Sequence, residues 1–400
     1  MHQTAKALSL PLIIILLGFP HISETIYTPS LPLIAKELMT TPYWAEMSLA
    51  IYFVGFALGV AFWGFCCDRV GRRPALLAGL SIYTIFCLLL GLCSCIETLL
   101  FWRFLQAFGA SVGSVVTQTM LRDLYDGKKR HQIFAVVSGA LAFTPALGPW
   151  IGGYIAMLLG WQANFYALMI AGALLFLYCL RHLPETRSVK FQSNIFWYLI
   201  VKMLKDRHLL RHVLLISLCN GIVFGFYAEA PFLFIELIGF TPPAYGSFGL
   251  ILCVAGLGAS FISHKLNEFM SAENIIKKAS MICIVGSSNL LVAAWIGLFN
   301  PTVGIAGMAY IGIGIALIFT GVGLLISNSL SLALKEYKDT LGVAGAFFGF
   351  AYYIGIACCM TAISYLHNGT PYPMPLSFLL FSLLLYRLGS SVCKACKTPN

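Results

Sequence analysis

Glu24, Arg103 and Glu229 sit inside long apolar runs of this 400-residue chain. An ionisable group deep in a bilayer costs about 2.5–3.5 kcal/mol or more, so each is expected to hold a partner or to do work. The chemistry open to them is proton exchange. A carboxylic acid out of water resists ionisation and a nearby guanidinium favours it, so a few ångströms of relative motion changes proton affinity. Counted from Lys6, Glu97 and Arg211 at about 1.5 Å of rise per residue, all three lie at similar depth, in the half of the membrane away from the termini. A Glu24–Arg103 contact that forms and breaks is the expected coupling device, with Glu229 as a second proton site.

Polar neighbours extend this site. His21, Glu24, Tyr27 and Thr28 fall at i, i+3, i+6 and i+7, one stripe on one helix, which should face a central cavity. His21 could relay protons or simply pack through a hydrogen bond. Pro20, Pro29 and Pro32 bracket the stripe and would kink its helix, freeing carbonyls nearby. Asn220, Tyr227, Asn328 and Tyr352, among other polar and aromatic residues, could line the same adaptable cavity.

Two further motifs concern motion rather than protons. The stretch GFCCDRVGRRP, Gly64 to Pro74, forms a tight charged turn between apolar runs. Asp68, Arg69, Arg72 and Arg73 can pair across neighbouring helix ends there, while Gly64 and Gly71 let backbones approach. Simple anchoring by positive charge is the blander reading, and the glycine spacing with the Asp-Arg pair argues against it. In AFTPALGPWIGGY, the residues Gly148, Pro149, Gly152 and Gly153 give close helix packing without bulky side chains.

The elements that position these residues follow from composition. Hydrophobic residues make up 59% of the chain and charged ones 10%, with mean hydropathy +0.87. A soluble domain carries roughly 25% charge, so this chain cannot dress a surface for water. Continuous apolar runs without strand-like alternation indicate helices rather than a barrel. Twelve spans fit, at about 8–35, 46–66, 75–95, 98–121, 132–158, 161–181, 212–238, 245–264, 276–298, 303–331, 341–366 and 374–392. The first exceeds a signal-peptide core and shows no small-residue cleavage site, so it is expected to be retained.

Lys and Arg fill alternate loops, which reads the net charge of +10 as a topology signal with both termini cytoplasmic. Nucleic acid is not an expected partner. Most of the 13 cysteines lie in apolar spans as small hydrophobes. Cys393 and Cys396 have Cys-x-x-Cys spacing but no second pair or His cluster, so no metal site is expected. The long polar interruption carries seven basic residues against Glu185 and Asp206, with an amphipathic IFWYLIVKML segment at the interface. It divides the chain into an N-terminal six-helix bundle (1–181), a cytoplasmic basic linker (182–211) and a C-terminal six-helix bundle (212–400). SHKLNEFMSAEN, after the eighth span, lacks the Asp-Arg-x-Gly-Arg pattern, so a charge latch is expected mainly in the first half.

Four segments together carry a family likeness: ETIYTPSLPLIAKEL, IYFVGFALGVAFWGFCCDRVGRRP, LLFWRFLQAFGAS with LRDLY, and AFTPALGPWIGGY with GWQANF. The chain resembles the drug:proton antiporter branch of the major facilitator superfamily, most like the bicyclomycin-resistance (Bcr/CflA) transporters. The resemblance implies an all-α integral membrane fold of twelve transmembrane helices in two pseudo-symmetric bundles. It also implies a proton-coupling role for Arg103 by motif position and an exporter by the Gly148-Pro149 pattern. The chain departs from the family where Thr25 replaces the usual acid, since Glu24 stands one position earlier, about 100° around the helix. Ala107 and Thr144 replace usual glycines.

The function expected is proton-coupled efflux of small amphipathic molecules, drugs or an endogenous metabolite, by alternating access across a bacterial inner membrane. Its partners would be the substrate, protons and the bilayer, acting as a monomer. The proton gradient would supply energy without a cofactor, since no Gly-x-x-x-x-Gly-Lys-[Ser/Thr] sequence is present. Rival readings are a proton-coupled importer of amino acids or nucleosides, and a sensor or scaffold without net transport. An enzyme is not expected, because no metal cluster or nucleophile–base spacing occurs within the spans.

Overall fold

Hydrocarbon offers a backbone amide no partner, so each apolar run closes into a helix. The computed structural model describes residues 8–125, 127–141, 143–187 and 196–395, with no strand among them. Among the described residues, twelve helical spans are long and apolar enough to cross a bilayer. The first span is broken into α1 (Leu10–Thr25) and α2 (Leu31–Glu37), joined through a 3-10 turn at Thr28–Ser30. Pro29 and Pro32 lack the N–H that would continue the helix, which places the break beside Tyr27. Then follow α3 (Pro42–Val70), α4 (Arg72–Gly91), α5 (Ile96–Leu124), α6 (Gly127–Leu141), α7 (Thr144–Leu159) and α8 (Gln162–His182).

The amphipathic segment of the linker forms α9 (Phe196–Lys205). Residues 188–195, within the expected linker, and Cys396 lie outside the described residues. The second half holds α10 (Arg207–Pro231), α11 (Pro242–Phe269), α12 (Ala272–Trp295), α13 (Ile305–Ala333), α14 (Leu341–Leu366) and α15 (Pro373–Ala395). α10 starts earlier than the sequence pattern suggests because Asp206 caps it, accepting from the amides of His208 and Leu209. Past Pro231 the chain widens into a π-helical turn, Phe232–Leu237.

Within the first half α5 packs on α3 and α4, and α4 on α8; in the second, α12 packs on α13 and α15. The halves meet where α3 lies against α14 and α7 against α11. These are the second span with the eleventh and the fifth with the eighth, equivalent pairs in a two-fold arrangement. An even number of spans returns the chain to its starting side. The side carrying the start of α1 and the end of α15 is called the terminal face below, and the other the far face.

Candidate functional site

Arg103 is wholly buried. Its guanidinium carbon stands 4.3 Å from the ring centroids of both Tyr27 and Tyr52, and 5.9 Å from that of Phe165. Nη1 donates to Gln106 Oε1 at 2.5 Å and to the Ser23 carbonyl at 3.4 Å. Aromatic faces thus substitute for water around the charge. The box comes from four elements: the break in the first span gives Tyr27, α3 gives Tyr52, α5 gives Arg103 and Gln106, and α8 gives Phe165. Tyr27 Oη and Ser48 Oγ share a 2.7 Å hydrogen bond, and Tyr52 Oη donates to the Pro20 carbonyl at 3.3 Å.

Glu24 forms no ion pair with Arg103 in this conformation. Its Oε2 lies 3.3 Å from His21 Nδ1 instead, and its buried Oε1 has no hydrogen-bond partner. His21 keeps 31% of its side chain exposed, so it connects a carboxylate that is 2% exposed to water. On the opposite side, Arg103 Nε and Nη2 are also buried without hydrogen-bond partners. The peptide carbonyl that Arg103 does touch belongs to Ser23, the residue next to Glu24. The unpaired acid oxygen and the unpaired guanidinium nitrogens therefore border the same break in the first span.

The expected cavity residues divide. Asn220 and Tyr352 are half-buried, Tyr352 with its ring 4.4 Å from that of Tyr353. Tyr227 is buried within α10. Tyr27 serves the arginine box rather than a cavity wall, and Thr28 turns its hydroxyl onto the Thr25 carbonyl at 2.9 Å. Asn328 donates to Ser263 Oγ at 2.9 Å and accepts from Asn267 at 3.0 Å, tying α13 to α11. Inside a span such groups spend their polar atoms locally, so a polar stripe does not by itself mark a cavity wall. Between the halves, aromatic rings fill the seam: Phe53 lies 4.4 Å from Phe224, and Phe56 lies 4.6 Å from Tyr353.

Helix packing explains the glycine-rich motif of α7. A Cβ at Gly148 would collide with Thr25 Oγ1, and one at Gly152 with the Ile26 carbonyl oxygen, so α7 lies directly on the break in the first span. A Cβ at Gly153 would stand 2.5 Å from the Pro242 carbonyl of α11. Pro149 contributes its own carbonyl, 2.5 Å from where a Cβ on Gly246 would sit. One stretch of α7 thus touches both the break in the first span and the other half.

On the terminal face, Arg72 joins Asp68 (3.1 Å) and Asp123 (2.8 Å), while the amides of Arg72 and Arg73 donate to Glu185 at 2.9 and 3.0 Å. Burial would raise the Glu185 carboxyl, but donors from Arg72, Arg187, Arg73 and Thr186 outweigh it and hold it below its ordinary value near 4.5. Gly71 has φ +105°, and a Cβ there would stand 2.6 Å from Glu185 Oε2, so only glycine fits. Gly64 needs no such exception, since its Cβ would meet Val115 and Ala346 at an ordinary 3.7 and 3.9 Å. Arg69 leaves the cluster and lies over the Phe65 ring at 4.1 Å. The latch thus gains Asp123 and Glu185, which motif spacing does not bring together.

Glu229 pairs with neither Glu24 nor Arg103. It joins Glu46 and His367 near the far face, where α3 begins and α10 and α14 end. His367 Nδ1 stands 3.0 Å from both Glu46 Oε1 and Glu229 Oε2. Burial would lower His367, but the hydrogen bond to Glu229 and the contact with Glu46 outweigh it and raise the imidazole to about 10. Sequence spacing does not reveal this group, whose ligand atoms lie close enough together to hold a metal ion. Glu46 and His367 escape a sequence reading because one stands at the first position of an expected span and the other just past the end of one.

Among the described residues, twelve membrane-length helices, a buried arginine between facing tyrosines and two bundles joined by equivalent helix pairs describe an integral membrane protein of two helical halves. Residues 13–359 match the family model of the Major Facilitator Superfamily, and the chain belongs to that family. An "Uncharacterized transporter" of Rickettsia bellii is 36% identical over 369 residues, covering 90% of this chain and 91% of that one. A "Bicyclomycin resistance protein homolog" of Haemophilus influenzae is 25% identical, covering 84% of this chain and 83% of that one. The solved structure of a D-xylose-proton symporter superposes with TM-score 0.75 at 14% identity, over 95% of this chain and 97% of that chain. At that identity the likeness speaks for the fold.

Proposed function

We propose that this transporter exports small amphipathic molecules, drugs or an endogenous metabolite, in exchange for protons across a bacterial inner membrane, with both termini cytoplasmic. The observation that carries the reading is the pair of buried, unpartnered groups at the break in the first span: Glu24 Oε1 and the Nε and Nη2 of Arg103. An ionised Glu24 is drawn toward Arg103, and a protonated one leaves Arg103 to its tyrosine faces. His21 supplies the path between Glu24 and water. The break is seated on Gly148 and Gly152 of α7, and α7 touches α11 at Gly153, so movement at Glu24 reaches the seam between the halves.

The likeness to a bicyclomycin-resistance homolog supports efflux. The aromatic seam of Phe53, Phe56, Phe224 and Tyr353 suits flat or flexible apolar substrates with few polar anchors. One proton crossing 100 mV supplies about 2.3 kcal/mol, enough to sustain a roughly 50-fold gradient of a neutral substrate. Glu24→Gln tests the reading. The variant should insert and melt like wild type but lose gradient-driven export; full gradient-driven export would remove Glu24 from the coupling.

A further inference from the structure

We infer that Glu46, Glu229 and His367 form a binding site for a divalent transition-metal cation, which clamps the two halves together at the far face. Glu46 comes from the first half, on α3. Glu229 and His367 come from the second, at the ends of α10 and α14. A ligand held by all three bridges the halves.

The geometry and the unsatisfied atoms point to a cation. Glu46 is 0% exposed, and neither of its carboxylate oxygens receives a hydrogen bond, although His367 Nδ1 is 3.0 Å from Oε1. A single imidazole proton cannot serve two acids, and here it is directed to Glu229. Glu229 Oε1 and Ser364 Oγ, the latter one turn before His367, are also buried without hydrogen-bond partners. The ligand atoms of the three residues all lie within 4.8 Å of one another. Zinc bonds of about 2.0–2.2 Å in tetrahedral array need ligand atoms about 3.4 Å apart, so side-chain shifts of about 1 Å complete the site.

One nitrogen and two oxygens suit Zn²⁺ or Co²⁺ better than Ca²⁺ or Mg²⁺, which take six or more oxygen ligands or keep their waters. The Phe232 ring, edge-on to His367 at 5.1 Å, holds the imidazole in place.

The test uses purified full-length protein in nanodiscs, with Co²⁺ as the spectroscopic probe and Zn²⁺ as competitor. Wild type should bind one Co²⁺ with visible d–d bands, and Zn²⁺ should displace it. Glu46→Gln and His367→Gln should each weaken apparent Co²⁺ affinity at least tenfold. Melting with and without Zn²⁺ provides a second readout, because a clamp across the halves raises the wild-type melting temperature and not that of the variants. Glu46→Asp, which keeps the ligand type, should retain part of both effects if the glutamine variant fails to fold. Bands of equal strength in all variants, thiolate charge-transfer bands from the Cys393–Cys396 tail in place of d–d bands, or no Zn²⁺-dependent change in wild-type melting would each overturn the assignment.

Discussion

Replacing Gly152 by alanine puts a methyl group onto the Ile26 carbonyl oxygen, an atom of the backbone that cannot swing aside. Ordinary contact for a Cβ begins near 3.4 Å, so α7 must retreat by about 2 Å or the break in the first span must deform. Either response also loosens Gly153 from Pro242 and hence α7 from α11. Overpacking of this kind costs about 1–3 kcal/mol, and a backbone obstacle places Gly152→Ala at the upper end. For a cooperative unit of roughly 150–250 residues, such as one half of this chain, about 3 kcal/mol lowers the melting temperature by about 6–12 °C. Gly258→Ala on α11 is the matched control: its Cβ would meet nothing within 4 Å, so melting should stay level or rise slightly. Thermal melts of both variants in the same detergent decide the matter. Equal melting temperatures would refute the claim that α7 rests on the helix-one break.

The remaining expectations concern single residues. Arg103→Lys keeps the charge but gives up the planar stacking between Tyr27 and Tyr52, where each contact contributes about 0.5–2 kcal/mol, so gradient-driven flux should fall at least tenfold; unchanged flux contradicts the box. Glu185 has a lowered carboxyl, so the latch stability is present above pH near 4.5 and is lost as pH falls through the folded value. Glu185→Gln should therefore melt below wild type at neutral pH and converge with it in acid; parallel melting curves at every pH would exclude the latch. Asn328→Ala strips a partner from Ser263 and Asn267 and should cost about 1–3 kcal/mol of stability with substrate preference unchanged. A changed substrate preference with unaltered melting would return Asn328 to the cavity.

Much of this molecule is legible along the chain because lipid enforces local rules. Apolar length gives the spans, and Pro29 and Pro32 mark the break beside Tyr27. Arg103 stands out because a buried cation in a span has few innocent uses. What escapes are contacts made across sequence distance. Arg72 meets Asp123 and Glu185 from 51 and 113 positions away, and His367 meets Glu229 from 138. Glu46 is missed for a different reason: α3 begins at Pro42, a good first helical residue, so Glu46 lies within the helix and not at its entrance. Depth counting also does not find the partners of Glu229, because rise per residue locates a side chain along a helix but not which neighbours share its level. Thr28 and Asn328 are misread because hydroxyls and amides in spans so often bond their own helix or the next one.

The central claim is export driven by protons. Cells lacking their own exporters, with and without this protein, are given a panel of labelled amphipathic drugs and metabolites, and accumulation is measured before and after a protonophore. The account predicts reduced accumulation of at least one compound that depends on the protein and disappears when the proton gradient collapses. Accumulation that the protein increases, or a reduction that survives the protonophore, would contradict it.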